Sequence, residues 1–231
     1  MKSQASKQYH FITEGRGKTI KLWRNNIILL IALFALIFVA PPLDHFSNFV
    51  ANTALIVVVI TGIYAAEYEK RIFRILFSLG LLTLISMAVT FISPENRPLS
   101  ILPFILVICS LIFSTIALVT HVSHAKTVEK STVLCAINSY LLMGLNASVL
   151  FLILDLAVPA SFTDLDAGPG SLSQYIYYGF VTLSTLGYGD ITPSTPTARS
   201  LAVFVTLVGQ LYLVIVMAMI IGKFLNSQNR K

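Results

Sequence analysis

The chain has 231 residues, 56% of them hydrophobic and only 11% charged, with a mean hydropathy of +0.82. A soluble domain carries about 25% charged residues, so this composition excludes an ordinary water-soluble fold and points to a bilayer as the solvent. The net charge of +6 does not imply a nucleic-acid partner, because the basic residues are scattered over short polar segments and form no single patch.

A spanning helix needs about 20 mainly apolar residues. Six stretches approach or meet that length: 27–43, 49–66, 72–92, 99–120, 132–157 and 198–222. The polar segment 1–25 comes first and reads as a basic cytoplasmic arm suited to anionic lipid heads. Within it Gly15-Arg16-Gly17-Lys18-Thr19 looks faintly like a phosphate loop, but Ile12 stands where the first glycine is required. The first apolar stretch is interrupted by Pro41-Pro42, with Trp23 and Arg24 ahead of it as interfacial anchors. A cleaved leader is discounted, since a long polar segment precedes the apolar run and no small-residue cleavage site follows it.

With the N-terminus in the cytoplasm, six spans place 14 of the 16 Lys and Arg residues on inner segments, leaving Arg97 and Arg199 outside. That asymmetry is what the positive-inside rule requires, and it puts both termini in the cytoplasm. Residues 26–125 then form a four-helix transmembrane bundle. Cys109 and Cys135 fall within the fourth and fifth spans and read as reduced thiols. His121 and His124 read as an interfacial pair, because no further metal ligands accompany them. Asn138 and Asn146, at membrane depth on the fifth span, read as interhelical hydrogen bonders.

Residues 126–231 read as a second unit, with a helix over 132–157, a short helix over 172–184, a loop over 185–190 and a last helix over 198–222. A turn-rich outer segment with Asp164 and Asp166 precedes Ser171, which with Gln174 has the spacing of a capping box. The helix over 172–184 is too short to cross, so it reads as re-entrant. Non-helical backbone at membrane depth is tolerated only inside protein or along a watery path. Gly187 and Gly189, at alternate positions, permit backbone angles that other residues resist. Several copies around one axis could then aim rings of carbonyl oxygens at an ion, with the negative end of the short helix facing the same path.

Thr185-Leu186-Gly187-Tyr188-Gly189-Asp190, at the end of a short helix between two spans, resembles the signature of the potassium-channel family. Tyr177-Tyr178, Thr182 to Ser184 and Ile191-Thr192-Pro193 agree with that family's pore segment. The resemblance covers about residues 132–225 and makes 126–231 a pore domain, with 132–157 its outer helix and 198–222 its inner helix. The plan of four helices followed by a pore domain resembles the voltage-gated-like branch by architecture alone.

The resemblance implies an all-α integral membrane protein with six transmembrane helices, a re-entrant pore helix and a filter loop, assembled as a homotetramer in the cell membrane. It implies passive potassium conduction. The filter would comprise Thr185, Leu186, Gly187, Tyr188 and Gly189, with K+ held by the carbonyls of Thr185, Leu186, Gly187 and Tyr188 and by the Thr185 hydroxyl. Asp190, Tyr177, Tyr178, Thr182 and Ser184 would support it, with Tyr178 bracing Tyr188 and Tyr177 holding Asp190. Leu186 departs from the family's usual valine, and the two tyrosines stand where tryptophans are common. K+ is the permeant ion, no cofactor is expected, and the partners are further copies of the chain and membrane lipids.

In voltage-gated relatives the fourth span carries regularly spaced arginines, whereas this chain has no Lys or Arg between Arg97 and Lys126. One charge crossing the field is worth about 2.3 kcal/mol per 100 mV, so steep voltage gating is not expected. Gly209 reads either as a hinge or as a close-packing residue, and Met217 and Ile221 either as an apolar constriction or as lipid-facing side chains. Gln210, polar at membrane depth, should face protein or a cavity. No paired carboxylates, metal cluster or nucleophile–base set suggests an enzyme. Two rivals remain on sequence grounds: a non-conducting or regulatory membrane scaffold subunit, and part of a potassium uptake transporter.

Overall fold

A computed structural model describes residues 20–39, 49–66, 70–92, 97–125, 127–163 and 172–228. The basic arm before Ile20, Pro41-Pro42, Lys126, Asp164, Asp166 and the Ser171 cap lie outside the described residues. The regular structure of the described residues is helical apart from one ribbon of two-residue strands, with loops between the elements. Helix α1 runs Ile20–Val39, its last residues Ala35–Val39 widening to π-helix. It is followed by α2 (Phe49–Ala65), α3 (Lys70–Ile92), α4 (Arg97–His124) and α5 (Lys130–Ala157). Then come β1 (Phe162–Thr163), α6 (Leu172–Leu183), β2 (Thr192–Pro193) and α7 (Pro196–Gln228).

Several boundaries shift by a few residues from expectation, and two of the shifts have identifiable reasons. Helix α1 begins seven residues before Ile27, so Trp23 and Arg24 lie in its first turns and do not precede it. Their long or amphipathic side chains tolerate helical backbone at an interface. Helix α7 begins at Pro196, where the ring's fixed φ suits a first helical position, and Thr195 Oγ1 accepts the Ala198 N–H at 3.2 Å as its cap.

Among the described residues, four helices are long and apolar enough to cross a membrane: Ile20–Val39, Ile101–His124, Lys130–Ala157 and Pro196–Leu225. Helices α2 and α3 contribute the shorter apolar stretches Val50–Ala65 and Phe73–Ser86.

Lipid tails are as apolar as leucine, so helices in a bilayer associate through close packing and interhelical hydrogen bonds. Helix α5 is the hub: it packs on α4 along one side and on α6 along another, with α7 touching both α5 and α6. Its buried face includes Gly144, Asn146, Ala147 and Ser148, whose small or polar side chains permit close approach. Asn138 Nδ2, fully buried, donates to Asn26 O at 2.8 Å and Asn26 Oδ1 at 3.0 Å, tying α5 to α1. Asn25 Nδ2 in turn donates to Tyr64 O at 2.9 Å at the end of α2. At the other end of α4, Lys223 Nζ from α7 donates to Val122 O at 2.7 Å and Ser123 O at 2.8 Å. Those carbonyls belong to the last turn of α4, where the helix offers no N–H donors of its own.

Candidate functional site

Helix α6 has 12 residues, about 18 Å at the helical rise and well short of a hydrocarbon layer about 30 Å thick. Its seat on α5 is set by contact at van der Waals limits. A Cβ on Gly179 would fall 2.8 Å from the Ser148 backbone nitrogen, and one on Gly144 would collide with the Phe180 ring. Ser148 Oγ donates to Gly144 O at 2.8 Å and sits 3.5 Å from Ile176 O. At the first turn of α6, Tyr175 Oη donates to Asp155 Oδ2 at 2.6 Å, while Ser161 N donates to Asp155 Oδ1 at 3.0 Å. Asp155 is therefore a brace between α5 and α6, a role its position near a span end did not reveal.

The far end of α6 closes in a Schellman motif. Leu186 N donates to Val181 O at 3.0 Å, Thr185 N donates to Thr182 O at 3.1 Å, and Thr185 adopts a φ of 63°. Glycine is the usual residue at that left-handed position, and a β-branched threonine there is strained by about 1–3 kcal/mol. Gly187 (φ 55°) and Gly189 (φ 80°) repeat the positive angle, while Leu186 and Tyr188 do not. The hand of the backbone thus alternates from 185 to 189. Alternation lets successive carbonyls face one side, which an ordinary strand does not.

In the single chain this loop is uncovered. Leu186 is 59% and Tyr188 67% exposed, and a Cβ on Gly187 or Gly189 would meet nothing within 4 Å.

The two tyrosines point apart. The Tyr177 ring stacks parallel on Tyr188, centroids 6.5 Å apart and planes at 4°, and its Oη donates to Asp190 Oδ2 at 2.5 Å. The carboxylate pushes the Tyr177 hydroxyl pKa up to about 12, and the same hydrogen bond holds the Asp190 carboxyl below its ordinary value. Tyr178 is buried, with ring centroids 4.7 Å from Phe151 and 5.2 Å from Phe162, and its hydroxyl pairs with Thr182. Within one chain, then, Tyr177 holds both Asp190 and Tyr188, and Tyr178 anchors α6 to its scaffold.

Ser184 closes the last turn, its N and Oγ donating to Phe180 O at 2.9 and 2.6 Å. Helix α7 supports the loop where it leaves α6. Thr206 Oγ1 donates to Thr182 O at 3.3 Å, and Gln210 Nε2 reaches Thr185 Oγ1 at 3.4 Å. A Cβ on Gly209 would lie 2.5 Å from Leu183 O, so close packing of α7 on the end of α6 accounts for that glycine. Met217 and Ile221 are 55% and 51% exposed, one turn apart on a face that the rest of the chain leaves open.

The far end of the loop is clamped to the segment after α5. Antiparallel β1 and β2 pair Phe162 with Pro193 and Thr163 with Thr192, and Ser194 N donates to Ser161 O at 2.8 Å. Both ends of residues 184–191 are therefore tied to α5, α6 and α7.

Residues 140–226, from within α5 to near the end of α7, match the family described as Ion channel. The match covers the helix pair and loop just described and less than half of the chain. An ion-channel domain moves ions without covalent chemistry, in agreement with the expectation that the chain is no enzyme. A curated relative, "Two pore potassium channel c" of Oryza sativa subsp. japonica, is 44% identical over 54 residues, which cover 23% of this chain and 12% of the relative. "Potassium channel K1" of Plasmodium berghei (strain Anka) is 47% identical over 32 residues, 14% of this chain and 2% of that protein. The matches thus span only a small part of either relative. No solved structure matches.

Proposed function

We propose that this chain is one subunit of a potassium-selective channel, with four copies arranged around residues 185–189. The observation that carries the reading is the alternating backbone hand from Thr185 to Gly189 at the end of a half-length helix. Backbone of that kind is costly in a bilayer unless it lines a path for ions or water. Four copies would present rings of carbonyl oxygens from Thr185, Leu186, Gly187 and Tyr188 in place of the ion's hydration shell. One loop cannot surround an ion, so symmetric assembly is part of the proposal. The names of the two relatives support potassium as the ion, and the uncovered loop and outward face of α7 support contact between copies.

The finer reading has six spans, with α2 and α3 crossing as well, both termini in the cytoplasm, and the chain in the cell membrane. Conduction is passive and not steeply voltage-gated, because no Lys or Arg lies between Arg97 and Lys126. Purified protein in lipid vesicles with an outward potassium gradient tests this directly. Potassium efflux with little sodium flux is expected. Equal sodium flux would refute the selectivity, and no flux in either ion would leave the scaffold-subunit alternative standing.

A further inference from the structure

Helix α7 meets the end of α6 through three residues, each in contact further toward the loop than the last. Thr206 Oγ1 donates to Thr182 O at 3.3 Å. A Cβ on Gly209 would lie 2.5 Å from Leu183 O, so its absence lets the helix come this close. Gln210 Nε2 then donates to Thr185 Oγ1 at 3.4 Å. Residues three and four apart share one side of a helix, which places all three on the face turned to α6. Tyr212 fixes the rotation of α7 from the other side, its Oη donating to Ala136 O of α5 at 2.7 Å. Two residues apart on a helix means about 200° around its axis, so anchoring Tyr212 on α5 holds Gln210 away from α5 and toward the loop.

Between Thr206 and Lys223 the sequence of α7 is apolar except for Gln210 and Tyr212. A carboxamide at membrane depth is costly without a partner, and a leucine would serve if packing were all that the position required. The partner it has is the β-branched residue held at a φ of 63°, and that residue is exposed in the single chain. Packing within the chain therefore does little to fix the Thr185 side chain. The amide hydrogen bond does.

We infer that Gln210 is a positioning residue for the Thr185 hydroxyl, and through it a determinant of which cation the loop prefers. The inference rests on the channel proposed above. A hydroxyl oxygen has two lone pairs and one hydrogen. The Gln210 N–H occupies one lone pair from the α7 side, restricts rotation of the hydroxyl, and leaves the second lone pair for the ion. Pinned in this way in every copy, the ring of hydroxyl oxygens keeps a spacing set by the protein. Released, the hydroxyls turn to water or close around a smaller ion, and the preference for potassium over sodium weakens.

The test measures potassium and sodium efflux separately from phosphatidylcholine vesicles holding the full chain. Lost folding or assembly lowers both fluxes together, so their ratio reads the positioning role alone. Gln210→Leu should lower the potassium-over-sodium ratio about fivefold or more, the factor that one lost neutral hydrogen bond carries. Gln210→Asn keeps the carboxamide but is one methylene shorter, and with the contact already at 3.4 Å it should behave like Gln210→Leu. In Thr185→Val, which keeps the shape and loses the hydroxyl, Gln210→Leu should have no further effect on the ratio. If Thr185→Val does not conduct, the other two variants decide. An unchanged ratio in Gln210→Leu overturns the inference and leaves the channel reading standing. A wild-type ratio in Gln210→Asn also overturns it, because polarity near the path would then suffice without the contact. A wild type that passes no potassium, or does not prefer it to sodium, overturns the channel reading and this inference together.

Discussion

Helices α5 and α7 are both long and apolar, yet half of the apolar 18-residue stretch of α5 is buried within the chain and only 17% of that of α7. Hydropathy does not separate them. Side-chain size and polarity do: α5 buries Gly144, Asn146, Ala147 and Ser148 against its neighbours. Helix α7 touches its own chain along a narrow stripe through Ala198, Val205, Gly209 and Val216, and turns Val203, Leu207, Leu211 and Val214 outward. In a bilayer the hydrophobic effect does not choose which apolar face is inside, so contact surfaces are marked by small and polar residues. The outward face of α7 lies on the helix that also carries the uncovered loop, and several copies of the chain would cover both.

The sharpest way to break this comparison is Gly187→Ala. A Cβ there has open space in the single chain, and the left-handed angle costs about 1–2 kcal/mol, so the subunit should still fold. Potassium flux should nevertheless fall by about 100-fold or more, a barrier increase of about 2.7 kcal/mol. Unchanged flux would mean that the loop does not face its copies.

The outward faces can be set against each other by placing one charge on each. Val214→Asp on α7 and Ile137→Asp on α5 carry a comparable insertion cost, about 2.5–3.5 kcal/mol at a helix centre. Native mass measurement should find the α7 variant largely dissociated and the α5 variant assembled. The same result for both variants would erase the distinction.

A smaller effect separates the two glycines of α7. Gly209→Ala drives a Cβ into Leu183 O and should destabilise the fold by about 1–3 kcal/mol, whereas Gly222, with open space around it, should gain up to about 1 kcal/mol as alanine. Thermal unfolding of both variants checks this, and equal shifts would argue for a hinge at Gly209.

The smallest effect is the Tyr177–Asp190 link. Asp190 has a lowered folded pKa, so its contribution is complete above the ordinary carboxylate value and is lost as pH falls through the lowered one. Tyr177 has a raised pKa, so its contribution is complete below the ordinary tyrosine value and is lost as pH rises through about 12. Alkaline absorbance titration, taken as the difference from Tyr177→Phe, should place Tyr177 near pH 12 in the wild type and lower in Asp190→Asn. Identical titrations would remove the hydrogen bond from the account.

The helices α5 to α7 were readable because apolar runs, a short interrupted segment and alternate glycines each have a local physical cause. Gln210 was readable only as a polar group requiring a partner, and geometry supplied Thr185. Other features depend on approach in space and left no local trace: the Asp155 brace, the opposed directions of Tyr177 and Tyr178, and the contact of Gly179 with Ser148. The Thr195–Pro196 start of α7 could have been found from its cap and first-turn proline. The front helices were harder to bound, since Lys21, Trp23 and Arg24 are as compatible with a helix as with the polar arm before it.

The contact of Lys223 with the end of α4 has a mechanical consequence. One ammonium toward the C-terminal end of α7 satisfies two carbonyls that helix geometry leaves without donors. Sliding or tilting that end of α7 either drags the α4 terminus along or forfeits two charge-assisted bonds. The helices ahead of α5 thus act as ballast on α7, and rearrangement is least costly N-terminal to the attachment, where no comparable tether from α7 to α4 is found among the described residues.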